Sequence, residues 1–114
     1  MKSEGLLEEK SYKFARRAIK AYKYLIAKKE YILSKQFLKS GTSIEANIIE
    51  AQYAISKKEF RAKMSIASKE AVETRYWINL LKDENYFKEN EAKSLIEDLN
   101  EIISILVKVV KNAT

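Results

Sequence analysis

The sequence lacks cysteine, histidine and proline, and it contains only two glycines, Gly5 and Gly41, among its 114 residues. Without cysteine there can be no disulfide, thiolate metal site or thiol nucleophile. Without histidine the chain loses the commonest general base and the commonest transition-metal ligand. Strand-rich folds need frequent turns marked by Gly, Pro, Asn or Asp. The scarcity of Gly and Pro therefore predicts an all-α fold of long helices.

Long apolar runs are also missing. No run approaches the roughly 20 residues that a membrane span requires, so we expect no contact with a membrane. The first ten residues, MKSEGLLEEK, place acids where a signal peptide has its apolar core. We therefore expect a cytoplasmic protein, formed by a single domain over residues 1–114.

Positive charge is abundant but unevenly distributed. The formal net charge is +6. Residues 1–39 hold 11 basic and 4 acidic residues, whereas residues 83–114 hold 4 basic and 7 acidic residues. This asymmetry indicates either a polyanionic partner or the packing of oppositely charged segments against each other.

Apolar residues recur every three or four positions in four segments, which predicts helices over about 6–29, 31–54, 57–82 and 89–111. In the first segment, the residues expected on one side are Ala15, Ala18, Ile19, Tyr22, Leu25 and Ile26. The third segment has the clearest start, because Ser56 and Glu59 match a capping box. Four such helices with short connections predict an antiparallel up-down-up-down four-helix bundle.

A glycine and several polar residues interrupt the second predicted helix. Gly41 shares its face with Ile44, Ile48 and Ala51, although a glycine inside a helix costs about 1 kcal/mol relative to alanine. Close approach of a neighbouring backbone is the usual compensation. Ser43, Asn47 and Glu50 form a strip beside this face. We interpret them as a structural polar seam that hydrogen-bonds across a helix contact and selects its register.

Carboxylates offer a different interpretation of the same region. Glu50 with Glu70 or Glu73 would provide paired acids for acid–base catalysis or for a divalent metal. Metal-binding bundles, however, pair glutamate with histidine, and this chain has no histidine. It also has no glycine-rich phosphate loop. We therefore expect no metal, no cofactor and no enzymatic activity.

Two stretches resemble a known family. The run SKQFLKSGTSIEANIIEA contains Ser43, Ile44, Asn47, Ile48 and Glu50, and it is followed by SKKEF and SIASKEAVETRYWINLL. Over residues 34–81 these segments resemble the bacterial family named for the protein encoded in intervening sequences of large-subunit rRNA genes. The chain departs from many members at Ala51 and Gln52, where a glycine often follows the glutamate, and it lacks their proline between the first two helices.

The resemblance implies a four-helix bundle that assembles into a homopentameric ring. A related protein, the accessory protein of diversity-generating retroelements, has this form, binds nucleic acid through basic surface and associates with a reverse transcriptase. For most members the biochemical role is unknown. The resemblance provides no catalytic residues for this chain.

The first predicted helix carries a stripe of cations opposite its apolar face. By the 100° helical step, this stripe contains Lys13, Arg16, Arg17, Lys20, Lys23 and Lys28, with Tyr24 among them. Lys57, Lys58 and Arg61 at the start of the third helix extend the candidate surface. Such a stripe favours sequence-tolerant binding to RNA or DNA phosphates, although many charged helix faces are simply solvated.

A protein-interaction scaffold is the alternative function. The basic surface would then contact an acidic patch on a partner protein. Trp77, Tyr53 and Tyr76 are candidate anchors, because the centres of protein interfaces are enriched in aromatic residues. Burial of these three side chains within the bundle or in a contact between subunits is the competing interpretation.

Overall fold

Four helices make up the chain. The computed structural model describes the backbone of residues 2–113 and the side chains of residues 4–113. The helices are α1 (Lys2–Ala27), α2 (Leu33–Gln52), α3 (Lys57–Asp83) and α4 (Glu89–Asn112). No strand forms between residues 2 and 113. The all-α prediction is confirmed, while Met1 and Thr114, the ends of the predicted domain, lie outside the described residues.

Each helix packs against two others around a single core. Contacts join α1 to α2 and α4, and α3 to α2 and α4, whereas the described parts of diagonal helices do not approach each other. Residues that pair between α1 and α4 run in opposite numerical order, with Lys10 next to Glu101 and Arg17 next to Asp98 and Glu91. The result is a four-helix bundle measuring 44 × 21 × 18 Å.

The predicted buried faces are confirmed on α2, α3 and α4, whereas the buried face of α1 is rotated about the helix axis relative to the prediction. Residues at the predicted spacing of three or four form the buried faces of α2 (Phe37, Gly41, Ile44, Ile48, Ala51), α3 (Met64, Ala67, Ala71, Thr74, Ile78, Leu81) and α4 (Ala92, Leu95, Leu99, Ile102, Leu106, Val109). On α1, however, Leu7 and Phe14 are buried, and Ile19 is 43% exposed. Apolar and alanine residues extend around more than half of α1, so its periodicity fits two orientations. The larger Phe14 ring lies on the face that contacts the core.

A polar contact crosses the core between α2 and α3. The Thr74 hydroxyl donates to Ser40 Oγ at 2.8 Å, and both side chains are buried. Thr74 Oγ1 also lies 2.7 Å from the Glu70 carbonyl oxygen. Thr74 has the spacing of the buried face of α3, but the sequence does not identify Ser40 as its partner. This pair satisfies the hydroxyls that the two helices bury against each other.

Side-chain carboxylates accept backbone hydrogen bonds at the N-terminal ends of two helices. Glu59 N–H donates to Ser56 Oγ at 3.0 Å, as the capping box predicts, and the Glu59 carboxylate accepts from Ile55 N–H at 3.1 Å. Before α2, the buried Glu30 carboxylate accepts from Ser34 N–H at 2.6 Å. The sequence offered no clear boundary here, because glutamate is not a common N-terminal cap.

The connection from α1 to α2 depends on a lysine in the left-handed region. Lys29 has φ of 67°, and Glu30 N–H reaches the Leu25 carbonyl oxygen at 3.0 Å, as in a Schellman motif. Asn85 has φ of 66° in the equivalent position after α3. Glycine and asparagine tolerate this conformation, whereas lysine is strained there.

Replacing Lys29 with glycine should therefore stabilise the protein by about 1 kcal/mol, because the substitution relieves this strain. Urea denaturation of both proteins measures the difference. Asn85→Gly is the matched control, and we expect a smaller gain from it because asparagine already accepts positive φ. If Lys29→Gly were less stable than the original protein, the inferred backbone strain at Lys29 would be contradicted.

Candidate nucleic-acid interface

Basic side chains cover the surface of α1 opposite its buried face. Lys13, Arg16, Lys20 and Lys23 are all exposed. We call these four residues the basic face. By the helical rise, they extend over about 15 Å. Arg16, Lys20 and Lys23 have no acidic partner within ion-pair distance among the described residues.

Arg17 differs from its neighbours. It is half-buried, and its guanidinium contacts Asp98 at 2.7 Å and Glu91 at 3.2 Å, both on α4. Arg17 is therefore less exposed than the stripe predicts, and its role in phosphate binding stays a prediction. The helical step places Arg17 at the edge of the stripe next to α4, whose first half is acidic. Arg17 thus joins α1 to α4, and two carboxylates already compensate its charge.

Two further cations, Lys13 on α1 and Lys28 directly after it, make local contacts. Lys13 Nζ lies 3.0 Å from Glu9, one turn earlier, in an exposed ion pair. Exposed pairs of this kind are weak and are screened by salt. Lys28 Nζ lies 4.6 Å from the centre of the Tyr24 ring and 3.4 Å from the Tyr86 carbonyl oxygen. Lys13 is therefore still available to a phosphate.

The second predicted group of cations lies elsewhere on the bundle. Lys57, Lys58 and Arg61 are exposed at the start of α3, where they border a shallow groove with Ala62, Ser65 and Ala113. This groove adjoins the C-terminal end of α4, and no described Cα atom of α1 lies within 8 Å of one in α3. These three residues were predicted to extend the stripe on α1. The structure instead separates the two groups, because diagonal helices carry them.

A groove between α1 and the start of α4 adjoins the basic face. Its volume is about 560 Å³, and we call it the α1–α4 groove. It is lined by Arg17, Lys20, Ala21, Tyr24, Phe87, Lys88, Asn90 and Glu91. Sequence analysis did not identify Phe87, Lys88 or Asn90, because the bend before α4 brings them next to α1. Tyr24 is 40% exposed and contributes an aromatic ring to this lining.

The polar strip on α2 mostly bonds within its own helix. Ser43 Oγ donates to the Lys39 carbonyl oxygen at 2.6 Å, and Asn47 Nδ2 donates to the Ser43 carbonyl oxygen at 2.8 Å. Glu50 alone reaches another helix, through an ion pair of 2.8 Å with Lys63 on α3. Within one protomer, therefore, Ser43 and Asn47 do not form the predicted cross-helix bonds. Their role at a contact between subunits stays a prediction.

The acids considered for catalysis have separate partners. Glu50 pairs with Lys63, whereas the Glu73 carboxylate accepts from Trp77 Nε1 at 3.1 Å. Burial raises the pKa of Glu70 above its usual value, and the nearby Glu73 carboxylate raises it further. Among residues 4–113, no three acidic side chains gather as a metal site would require.

The half-buried Glu45 makes stability depend on pH. Burial raises its pKa, and the Glu8 carboxylate raises it further. The folded protein therefore binds this proton more tightly than the unfolded chain, so the residue lowers stability as pH rises above the ordinary value of 4.5. We expect Glu45→Gln to increase the melting temperature at pH 7 and to change it little below pH 4.

Thermal unfolding between pH 3 and pH 8 measures this difference. Glu97→Gln removes the same charge from an exposed position on α4 and serves as the control. If both variants shifted the melting temperature equally at every pH, burial of Glu45 would not be the cause.

Comparison with known proteins identifies the family and supports the fold. A four-helix bundle with one basic helix is the class that the structure defines. Residues 6–108 match the family of the 23S rRNA-intervening sequence protein, and the chain belongs to this family. A crystal structure at 1.70 Å resolution, of a protein with unknown function from the S23 ribosomal protein family of Bacteroides thetaiotaomicron VPI-5482, superimposes with a TM-score of 0.95. The two sequences are 41% identical over 96% of this chain and 99% of the other.

The predicted family is thus confirmed over the flanking helices as well as over residues 34–81. No curated protein matches the sequence significantly. Within the described residues, none of the helices has the length and apolar character needed to cross a membrane.

Proposed function

We propose that this protein is a non-catalytic homo-oligomer in the cytoplasm that binds RNA or DNA through its basic face. Its bundle would have the antiparallel up-down-up-down order, which is supported by the opposite numbering of paired residues on adjacent helices. Five subunits would form a ring, as the family resemblance implies. No cofactor or metal ion takes part in this function.

The observation that carries the proposal is the exposure of unpaired cations on one helix. Arg16, Lys20 and Lys23 are exposed on α1 and have no acidic partner among residues 4–113, while Arg17 and Lys10 on its α4 edge are paired. A rigid row of this kind suits a chain of phosphates, because each contact releases counterions from the nucleic acid. The family description refers to an rRNA intervening sequence, which makes RNA the first probe to test.

Exposed apolar side chains support self-association. Tyr12 and Ile19 on α1 are 55% and 43% exposed, and Ile49 on the adjacent α2 is 38% exposed. Exposed apolar patches on a protein surface commonly indicate contacts with other chains. In a ring, the basic face would be repeated in each subunit, and repetition increases the avidity for a long polyanion.

A protein-interaction scaffold is the second candidate function. Tyr53 and Ile55, at the turn between α2 and α3, are 82% and 94% exposed. Tyr76 is 56% exposed and packs edge-on against the half-buried Trp77 at 4.9 Å between ring centres. These side chains would anchor a partner protein. Purification that recovers a protein and no nucleic acid would favour this function.

The salt dependence of binding tests the proposal. Four phosphate contacts by the basic face predict a slope of about −2.8 when the logarithm of the association constant for a short single strand is plotted against the logarithm of salt concentration. Arg16→Gln should reduce the slope to about −2.1, because one contact is lost. Arg17→Gln should leave the slope unchanged, because two carboxylates already compensate Arg17.

Mobility shift with RNA and with DNA across a salt series gives these slopes, and mass measurement in solution counts the subunits. Arg16→Gln and Arg17→Gln remove the same charge from adjacent positions, so each is the control for the other. Equal slopes in all three proteins, or no binding at low salt, would refute the proposed site.

A further inference from the structure

The α1–α4 groove combines the features that bind an exposed base next to a phosphate chain. It lies directly beside the basic face, because Lys20 belongs to both. Its wall includes the exposed ring of Tyr24, and its apolar lining includes Ala21 and the buried Phe87. Lys28 lies over the same tyrosine ring but does not line the groove. Tyr24 is thus the exposed aromatic residue in the groove lining.

Polar groups surround this aromatic wall. Lys20 and Lys88 are exposed at the groove, and neither has an ion-pair partner among the described residues. The Asn90 side-chain oxygen accepts from Glu91 N–H at 2.9 Å, which leaves its amide hydrogens for another acceptor. The Glu91 carboxylate contacts Arg17 through one oxygen at 3.2 Å. Donors and an acceptor thus border an apolar, partly aromatic recess.

We infer that the α1–α4 groove receives one unpaired nucleobase, stacked on Tyr24, while the basic face holds the adjoining phosphates. This inference rests on the proposed function and adds a preference for single strands. Stacking on aromatic side chains tolerates any base, because every base has a π face. A base within a duplex is already stacked and paired, so it does not enter the groove without being extruded.

Two probes of equal length distinguish base binding from phosphate binding. One is a thymidine oligonucleotide, and the other is an abasic strand with the same sugar-phosphate backbone. The intact protein should bind the thymidine strand about tenfold more tightly, within the range measured for base stacking on an aromatic side chain. Tyr24→Leu keeps the groove apolar but removes the ring, and it should bind both strands equally. Tyr24→Phe should retain the preference.

Tyr31→Leu is the matched control, because Tyr31 is 54% exposed between α1 and α2 and does not line the groove. It should keep the tenfold preference for the thymidine strand. Thermal unfolding confirms that each variant is folded. If the intact protein bound both strands equally, the inference would be wrong and the phosphate-binding function would stand. If it bound neither strand at low salt, both would fail.

Discussion

Reversing three charges on α1 should abolish nucleic-acid binding while leaving the fold intact. The variant Arg16→Glu, Lys20→Glu, Lys23→Glu changes exposed residues that form no ion pair within the part of the chain that the structure describes. Three attractive contacts with phosphates become repulsive, so affinity at low salt should fall about a hundredfold or more. Arg17 is left unchanged, because its reversal would place a third acid beside Asp98 and Glu91.

A control with the same net charge separates the site from the overall charge. Lys35 on α2 and Lys93 and Lys108 on α4 are exposed and unpaired among the described residues. Replacing these three by glutamate lowers the formal net charge from +6 to zero, as the α1 variant does. Mobility shift should show a much larger loss for the α1 variant. Equal losses would mean that overall charge, and not the basic face, determines binding.

The fold was largely predictable because its helices are long and their apolar faces regular. The faces of α2, α3 and α4 point where their three- and four-residue spacing indicated, and Ser56 caps α3 as its motif predicts. On α1, several alanines make the apolar spacing ambiguous. Ile19 was predicted to face the core, but the structure exposes it and buries Phe14 instead. The break before α2 was also poorly defined, because Lys29 and Glu30 take roles that glycine and serine usually fill.

The candidate site was only partly predictable for a different reason. Helical periodicity identifies which residues share a face, but it does not show what a neighbouring helix places opposite them. Periodicity therefore does not indicate that Asp98 on α4 lies 2.7 Å from the Arg17 guanidinium. Tertiary packing also separates Lys57, Lys58 and Arg61 from α1, and it adds Phe87, Lys88 and Asn90 to the groove beside Tyr24.

Leucine at position 41 should severely destabilise the protein. Gly41 is buried where three helices meet, and a Cβ atom there would lie 3.1 Å from Ala18 Cβ on α1 and 3.7 Å from Thr74 Cγ2 on α3. A neighbouring helix does approach closely at this glycine, but the nearest atom belongs to the Ala18 side chain and not, as was predicted, to a backbone. A leucine side chain has no room to extend, so the free energy of unfolding should fall by about 3 kcal/mol. That is a large fraction of the roughly 5–15 kcal/mol typical of a domain.

Exchanging a methyl group between the two helices tests the same contact without changing the composition. Gly41→Ala alone gains about 1 kcal/mol of helix propensity but loses part or all of this gain to the contact at 3.1 Å. Adding Ala18→Gly removes the opposing methyl group, so the two substitutions should be coupled favourably in a double-mutant cycle. Ala18→Gly should also partly rescue Gly41→Leu. Urea denaturation of the single and double variants measures both effects. Strict additivity would show that α1 and α2 do not depend on this contact, and glycine at position 41 would then need another explanation.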